Sequence, residues 1–457
     1  MSSATEHKIH ELIEAKDFAT LKTVVSEGEV HDLAELMGDL ADEDRAIAFR
    51  LLPQDIAAKI FGEFEIEQQE EMLRNLSSEK VAGILNEMPP DDRTELLEEL
   101  PGELAQRLLS ALRGDEATVA RNLLAYPEDS IGRLMTPEYV AVRPDRTIEQ
   151  VFAHIRQVAP TKETLNVMYV VDEHSKLLDE MPLEELVLAE PSAKVGDLMD
   201  EQFVALQATD DREASIEEFK KYDAVAMPVV DRRGVLVGIV TVDDVLDVAE
   251  EEVTEDFQKV TGMAALESSY FATGFWGMLR KRLPWLMLLL VAQMLTAVTL
   301  LGFEKLPLFA VLIIFMPLIN SPAGNTGSQT AGLMIRGLAV QEIKLGDWWR
   351  VLLRELLRGL TLGVSLAVLG FAAAKVLSSY SDRVSPDQVT QIAFAVCLAI
   401  VTAVSLANII GSMLPFFFKR VGLDPAVTSG PFIASLMDVS GIVIYFSIAT
   451  ALLATLS

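Results

Sequence analysis

Residues 389–418, VTQIAFAVCLAIVTAVSLANIIGSMLPFFF, carry no charged side chain over 30 consecutive positions. A helix needs roughly 20 apolar residues to cross the ~30 Å hydrocarbon core of a bilayer, so this stretch has length to spare. Four more stretches obey the same rule. Residues 283–301 are uncharged for 19 positions and 306–335 for 30. Residues 356–377 are apolar apart from Arg358 and Lys375, and 426–456 carry one charge, Asp438. Five membrane-spanning helices are therefore expected. Basic residues set orientation. Arg280, Lys281, Arg282, Arg336, Lys344, Arg350, Arg354, Arg358, Lys419 and Arg420 fall on one side, and Lys305, Lys375 and Arg383 on the other. This asymmetry predicts a cytosolic N-terminal half and an external C-terminus.

Charge divides the chain a second time. The sequence holds 68 acids and 38 bases, yet residues 271–457 contain only eight acids and thirteen bases. The first 270 residues therefore carry a net charge of about −35, enough chain for more than one soluble domain. Such a surface argues against nucleic acid, whose phosphates need basic patches, and attracts cations. Cys397 is the only cysteine, so disulfides and thiolate metal sites are not expected. The first thirty residues lack the apolar core of a signal peptide. No Gly-x-x-x-x-Gly-Lys-Ser/Thr loop occurs, which disfavours an enzyme or an ATP-driven pump.

Within the acidic half, Leu40, Leu52, Phe64, Leu76, Met88, Leu100 and Leu112 recur every twelve residues. Pro53-Gln54-Asp55, Ser77-Ser78-Glu79, Pro89-Pro90-Asp91-Asp92 and Pro101-Gly102-Glu103 are helix-start signals after four of them. Each unit reads as a short helix and a turn, stacked into a small all-α superhelix. From about Ile131 a duplicated α/β unit follows. Met168-Tyr169-Val170-Val171-Asp172 is echoed by Met227-Pro228-Val229-Val230-Asp231, and Arg133-Leu134-Met135 by Asp197-Leu198-Met199. These residues resemble a tandem pair of CBS (cystathionine-β-synthase) domains. That resemblance implies an adenine nucleotide, ATP, at Thr241 and Asp244, since Gly238, Thr241 and Asp244 match the Gly-x-x-Thr-x-x-Asp ending of nucleotide-holding members. In the first copy, Asp179 and Pro182 stand where the glycine and the Ser/Thr would be.

The segment joining the halves, Asp243 to Val260, is helical in period. Leu246, Ala249, Val253, Phe257 and Val260 form an apolar stripe. Asp244, Asp247, Glu251 and Glu255 line the opposite face, with Asp243, Glu250, Glu252 and Asp256 beside them. Like charges one turn apart cost a helix ~0.2–0.5 kcal/mol per pair. Eight acids in fourteen positions therefore call for a cation, and the segment supplies only Lys259. Magnesium, a hard ion held by one or two carboxylates and retained water, fits such a face. A solvated acidic surface is the plain alternative.

Polar groups in the apolar half mark a path. Asp438 is the one acid inside the predicted spans. A charge there costs roughly 2.5–3.5 kcal/mol on insertion scales, so it faces an aqueous path or pairs with an arginine. Asn320-Ser321-Pro322-Ala323-Gly324-Asn325-Thr326-Gly327-Ser328-Gln329 reads as irregular backbone, tolerated at membrane depth where it is buried or lines water. Thr402, Ser405, Asn408 and Ser412 share one face, for pore lining or for interhelical hydrogen bonds.

Over essentially its whole length the chain resembles the MgtE family of magnesium channels. The order of superhelical repeat, CBS pair, acidic helix and five spans matches. So do Gly324-Asn325-Thr326-Gly327-Ser328-Gln329, Asp424-Pro425-Ala426, Ser429, Pro431 and Asp438-Val439-Ser440-Gly441. The resemblance implies a homodimer in a bacterial inner membrane, with a magnesium pore lined by Asp438, Asn325, Ser435 and Gly441. It further implies regulatory magnesium at Glu213, Asp223, Asp244, Asp247, Glu252 and Glu255, to which the charge pattern adds Glu251 and Asp256. A cation-coupled divalent metal transporter or exporter on the same architecture is the alternative. Ser328 and Gly430 stand where asparagine is common, and Lys220 and Lys221 lie beside Asp223. The expected domains are 1–128 (superhelix), 129–190 and 191–246 (CBS copies), 247–270 (connecting helix) and 271–457 (membrane).

Overall fold

The computed structural model describes residues 9–13, 15–26, 30–40, 42–64, 66–266, 273–380 and 384–454. Arg383, the end of the predicted last span at Leu456, and 267–270 of the predicted connecting helix lie outside these residues. Two compact units form, Met1–Glu252 and Val253–Ser457.

In the first unit the twelve-residue period sets the architecture. Helices begin at Asp42, Gln54, Ile66, Ser78, Pro90, Gly102 and Gly114, each twelve residues after the last. The seven recurring apolar residues lie at the junctions, all buried in one core. Helix starts therefore follow all seven of them. Ser77 caps its helix by accepting a hydrogen bond from the Lys80 amide, and Pro90 occupies a first-turn position whose amide would be unpaired in any case. Several helices pack on the next but one, as in Gln54–Gly62 against Ser78–Glu87, so successive turns of the superhelix bury each other's apolar faces.

Two three-stranded sheets of identical topology follow. β1 (Ala141–Val142) runs parallel to β2 (Val167–Val171), which pairs antiparallel with β3 (Leu177–Pro182). β4 (Leu206–Gln207), β5 (Ala226–Val230) and β6 (Leu236–Thr241) repeat the arrangement. The echoed aspartates have one job. Asp172 accepts from the amides of His174 and Lys176, and Asp231 from those of Arg233 and Val235, closing the two hairpin turns. The copies join through these turns, with Leu177 N donating to Gly234 O and Leu236 N to Ser175 O. Gly238 has no room for a side chain. A Cβ there would meet Met135 Sδ at 2.8 Å and Thr136 O at 2.9 Å, where Thr136 pairs with Ile239.

The helix between the halves runs from Val242 to Val260. Its expected apolar stripe is not its buried face. Leu246, Val253 and Phe257 are exposed, while Val245 and Val248 are buried. Val245 sits in the core of the second CBS copy, so packing onto the sheet, rather than the widest apolar periodicity, sets the helix rotation.

The second unit contains five helices long and apolar enough to cross a membrane: Phe275–Gly302, Phe309–Ala339, Leu345–Ser379, Pro386–Arg420 and Gly430–Leu453, here spans 1 to 5. The run 320–329, expected to be irregular, is continuous helix within Met316–Ala339. Its small residues serve close packing instead. A Cβ on Gly327 would touch Ile433, and one on Gly411 of span 4 would lie 2.3 Å from Gly327 O. Span 3 begins earlier than its predicted apolar stretch and carries a buried acid, Glu355, so Asp438 is not the only carboxylate among the spans. Asn408 of span 4 donates to Glu355 Oε2 at 2.7 Å, and Thr330 of span 2 donates to Asn408 Oδ1 at 2.5 Å. Arg358 one turn on pairs with Glu355. These partners satisfy the acid and tie spans 2, 3 and 4 together. Thr402, Ser405 and Ser412 instead donate to carbonyls of their own helix.

Gly411→Ala drives a methyl into the Gly327 carbonyl, and overpacking of this kind costs about 1–3 kcal/mol. The variant is expected to melt earlier in detergent than the unmodified protein. Gly332→Ala, with open space around its Cβ, is expected to melt unchanged. Equal midpoints for all three would contradict the packing described.

Candidate ion sites

In the first unit, carboxylates gather where the connecting helix starts. Asp91, Asp92 and Glu95 come from the helix Pro90–Glu99, and Asp243, Asp244 and Asp247 from the first turns of Val242–Val260. Thr241 fixes Asp244, donating to Oδ2 from its hydroxyl at 2.6 Å and from its amide at 3.3 Å. Desolvation and mutual repulsion raise Asp91, Asp92, Glu95, Asp244 and Asp247 together. Burial, then the charges of Asp244, Asp92 and Glu163, hold Asp91 well above the usual carboxylate range. Asp92 is pushed up to about 6 by burial and then by Asp244, Glu63, Asp243 and Asp247. Glu95 sits at the more open rim, yet partial desolvation and then Glu251, Asp92 and Asp247 push it up to about 7. Asp244 rises to about 6 through burial, against the opposing hydrogen bond from Thr241. Asp247 is raised by desolvation and then by Asp243 and Glu251.

The other expected regulatory acids scatter. Glu213 and Asp223 occupy opposite ends of the helix Glu213–Tyr222, with Asp223 as a left-handed C-cap. Ten helical residues separate them by about 15 Å, too far to share one ion. Glu251 pairs with Arg212 at 2.8 Å, and Glu252 also acts on that arginine. Glu255 lies in the second unit, paired with Lys259, and Asp256 is on the same turn. Lys259 also reaches Asp424 at 2.7 Å, just before span 5. Burial opposes its charge, but hydrogen bonds to Asp424 and Glu255 raise it. Asp91, Asp92 and Glu95 escaped the sequence reading because a Pro-Pro-Asp-Asp run is explained by helix initiation alone. Among the described residues no three His, Cys, Asp or Glu side chains converge as a ready metal cage. The donor set is all carboxylate oxygen, which suits a hard ion that keeps its water and bridges acids.

The candidate nucleotide residues engage each other through the Thr241–Asp244 hydrogen bond. A cavity of about 340 Å³ in the second CBS copy lies at the other end of the β5–β6 hairpin, lined by Tyr126, Gln207, Asp231, Arg232 and Arg233 among others. Neither Thr241 nor Asp244 lines it. In the first copy Asp179 is buried and accepts from the amides of Glu180, Asp200 and Glu201, a structural use of the carboxylate.

In the second unit, Asp438 and Ser435 lie one turn apart on span 5, both partly buried. Asp438 is contacted by amides. Gln293 of span 1 donates to its Oδ2 at 3.1 Å, and Asn320 of span 2 donates to its backbone carbonyl at 3.2 Å. Among the described residues no basic side chain pairs with it, so the arginine-paired alternative is not what the structure shows. Gly441 packs against Asn320, and Asn325 is exposed on span 2. Ser328 and Gly430 meet, with the Ser328 hydroxyl donating to Gly430 O at 2.9 Å.

Comparison with known proteins gives three family matches in one chain. Residues 29–129 match the MgtE intracellular N domain, 195–251 a CBS domain, and 316–448 a divalent cation transporter family, MgtE. The magnesium transporter MgtE of Thermus thermophilus is 37% identical over 453 residues, covering 97% of this chain and 98% of that one. The magnesium transporter MgtE of Bacillus subtilis is 32% identical over 436 residues, 95% and 94% of the two chains. A crystal structure of the cytosolic domain of the Mg2+ channel MgtE in complex with ATP is similar at a TM-score of 0.52 and 36% identity, over 53% of this chain and 99% of that one.

Carboxyl groups with raised pKa keep protons in the folded state that the unfolded chain releases. From about pH 4 to about pH 7, stability therefore falls as pH rises. The lowered pKa values of Asp172 and Asp231 act only below about pH 4, outside that window. Without divalent cations, the first unit should melt at a higher temperature near pH 5.5 than near pH 7.5, and magnesium should narrow the gap. A midpoint that rises over this range without divalent ions would contradict the cluster.

Proposed function

The chain belongs to the MgtE family of divalent cation transporters, and from that premise we propose that it is a magnesium channel closed by cytosolic magnesium. The observation that carries the pore reading is Asp438, a carboxylate among the spans whose side chain is held by a neutral amide and, among the described residues, by no base. A hydrated divalent ion needs such a group: one negative charge, acceptor oxygens for its water, and no soft ligand. Ser435 one turn before it, and Asn325 and Gly441 nearby in sequence motif, are the further pore candidates. We place two copies around a two-fold axis, so that each supplies one Asp438. The stripe Leu246, Val253 and Phe257, exposed in a single chain, suits contact with a second copy. The charge asymmetry of the loops puts the acidic half in the cytosol and the C-terminus outside.

Regulation follows from charge. At low magnesium the acids of the helix Pro90–Glu99 and of the connecting helix repel each other. Magnesium held by Asp91, Asp92, Asp244 and Asp247 replaces that repulsion by bridging, supplying the ~1–3 kcal/mol typical of allosteric coupling per event. Glu213, Asp223, Glu251, Glu252, Glu255 and Asp256 are the further regulatory candidates. The connecting helix carries the change onward through its last turn, where Lys259 holds Asp424 at the root of span 5. Closure at high magnesium is the required direction, since an uptake path opened by its own product would run away. Residues 1–128, 129–190, 191–246, 247–270 and 271–457 are the proposed functional divisions. ATP at Thr241 and Asp244 fits best as its magnesium complex, because bare phosphates would face the raised carboxylates. A cation-coupled transporter or exporter is the second reading, and current that follows the electrochemical gradient without a coupling ion separates the two.

Asp438→Ala is expected to abolish magnesium flux into liposomes while the thermal midpoint in detergent stays within a few degrees of the unmodified protein. Full flux in that variant would remove Asp438 from the mechanism.

A further inference from the structure

Two amides from two different helices converge on the turn that carries Asp438. Gln293 Nε2 of span 1 donates to Asp438 Oδ2 at 3.1 Å. Asn320 Nδ2 of span 2 donates to the Asp438 carbonyl at 3.2 Å. The other end of the Asn320 amide, Oδ1, is buried without a hydrogen-bond partner and lies so close beneath Gly441 that a Cβ there would sit 2.1 Å from it. A buried polar atom left unpaired is costly and rare. Asn320 is therefore wedged under the segment from Asp438 to Gly441, fixing the backbone from which the carboxylate projects.

We infer that Gln293, with Asn320 fixing the backbone below it, is a specificity-determining residue that makes Asp438 select a hydrated divalent cation over one that binds the bare carboxylate. This rests on the reading of Asp438 as the pore ligand. An ionised carboxylate offers two oxygens and about four lone-pair positions. The Gln293 amide takes one on Oδ2 and fixes the plane of the group. A cation that sheds water readily, such as calcium, binds carboxylates directly and often with both oxygens at once. That geometry needs Oδ2 free and brings the cation against the positive amide hydrogens. Magnesium surrenders its water reluctantly and approaches with donors of its own. It can use Oδ1, the remaining Oδ2 lone pair, and Gln293 Oε1 as acceptors for its hydration shell, with the amide donor still in place. Removing the donor therefore lowers the barrier for the dehydrating ion more than for magnesium.

The test uses the full-length protein in liposomes, with magnesium alone, calcium alone and manganese alone as probes. Gln293→Leu replaces the amide by an apolar side chain at a position exposed in a single chain. Gln293→Met keeps the length of the side chain and removes the donor. In both, the calcium-to-magnesium and manganese-to-magnesium flux ratios should rise by about tenfold, the scale of one hydrogen bond to a charged group. Asn320→Leu should raise the same ratios by a smaller factor. A purely structural role would lower all fluxes together and leave the ratios unchanged. If Gln293→Leu does not fold, Gln293→Met alone gives the answer. Ratios within about twofold of the unmodified protein, in a preparation where Asp438→Ala is dead, would overturn the role of Gln293 and leave Asp438 in place. Flux surviving in Asp438→Ala would remove the pore reading, and this inference with it.

Discussion

Repulsion among desolvated carboxylates is the constraint on which the acidic half of this protein depends. Asp91, Asp92, Asp244 and Asp247 are brought together by two helices that have other reasons to be where they are. One is placed by the twelve-residue repeat, the other by Val245 and Val248 against the second CBS sheet. The fold pays for the encounter by holding protons on acids that would be ionised in the unfolded chain. A conformation that a proton must support is one that a divalent cation supports better, because each ion brings two charges and its own water.

The apolar half solves the reverse problem. There the cost is for charge itself, and Glu355 and Asp438 each have defined partners. Glu355 is held by Asn408 and Arg358, and through Asn408 by Thr330, which turns a costly acid into a three-helix clamp. Among the described residues Asp438 receives only amides, which leave its charge unneutralised. The small residues of the 320–329 run and of span 4 allow the helices to approach closely enough for such hydrogen bonds to form.

Much of this was legible in the sequence. Five long apolar runs gave five spans, a twelve-residue spacing of apolar residues gave the superhelix, and the Met-x-x-Val-Asp echo gave two sheets of the same topology. What stayed hidden depended on encounters between distant segments. Asp91 and Asp92 looked like helix-start residues, and only the fold sets them against Asp244. Glu355 lay one residue outside an apolar run whose helix starts at Trp348. Glycine, proline and amide residues at 320–329 suggested broken helix, because local propensity does not register the neighbouring helices that make small residues favourable. The stripe through Leu246, Val253 and Phe257 was the strongest period but not the buried face, since the sheet selected Val245 and Val248 instead.

The central claim is that magnesium on the acidic side closes the conduction path by relieving carboxylate repulsion. Single-channel recording from the full-length protein in planar bilayers tests it most directly, with magnesium stepped from micromolar to millimolar on the face of the acidic half alone. The account predicts an open probability that falls steeply over that range. An open probability independent of magnesium on that face would contradict it.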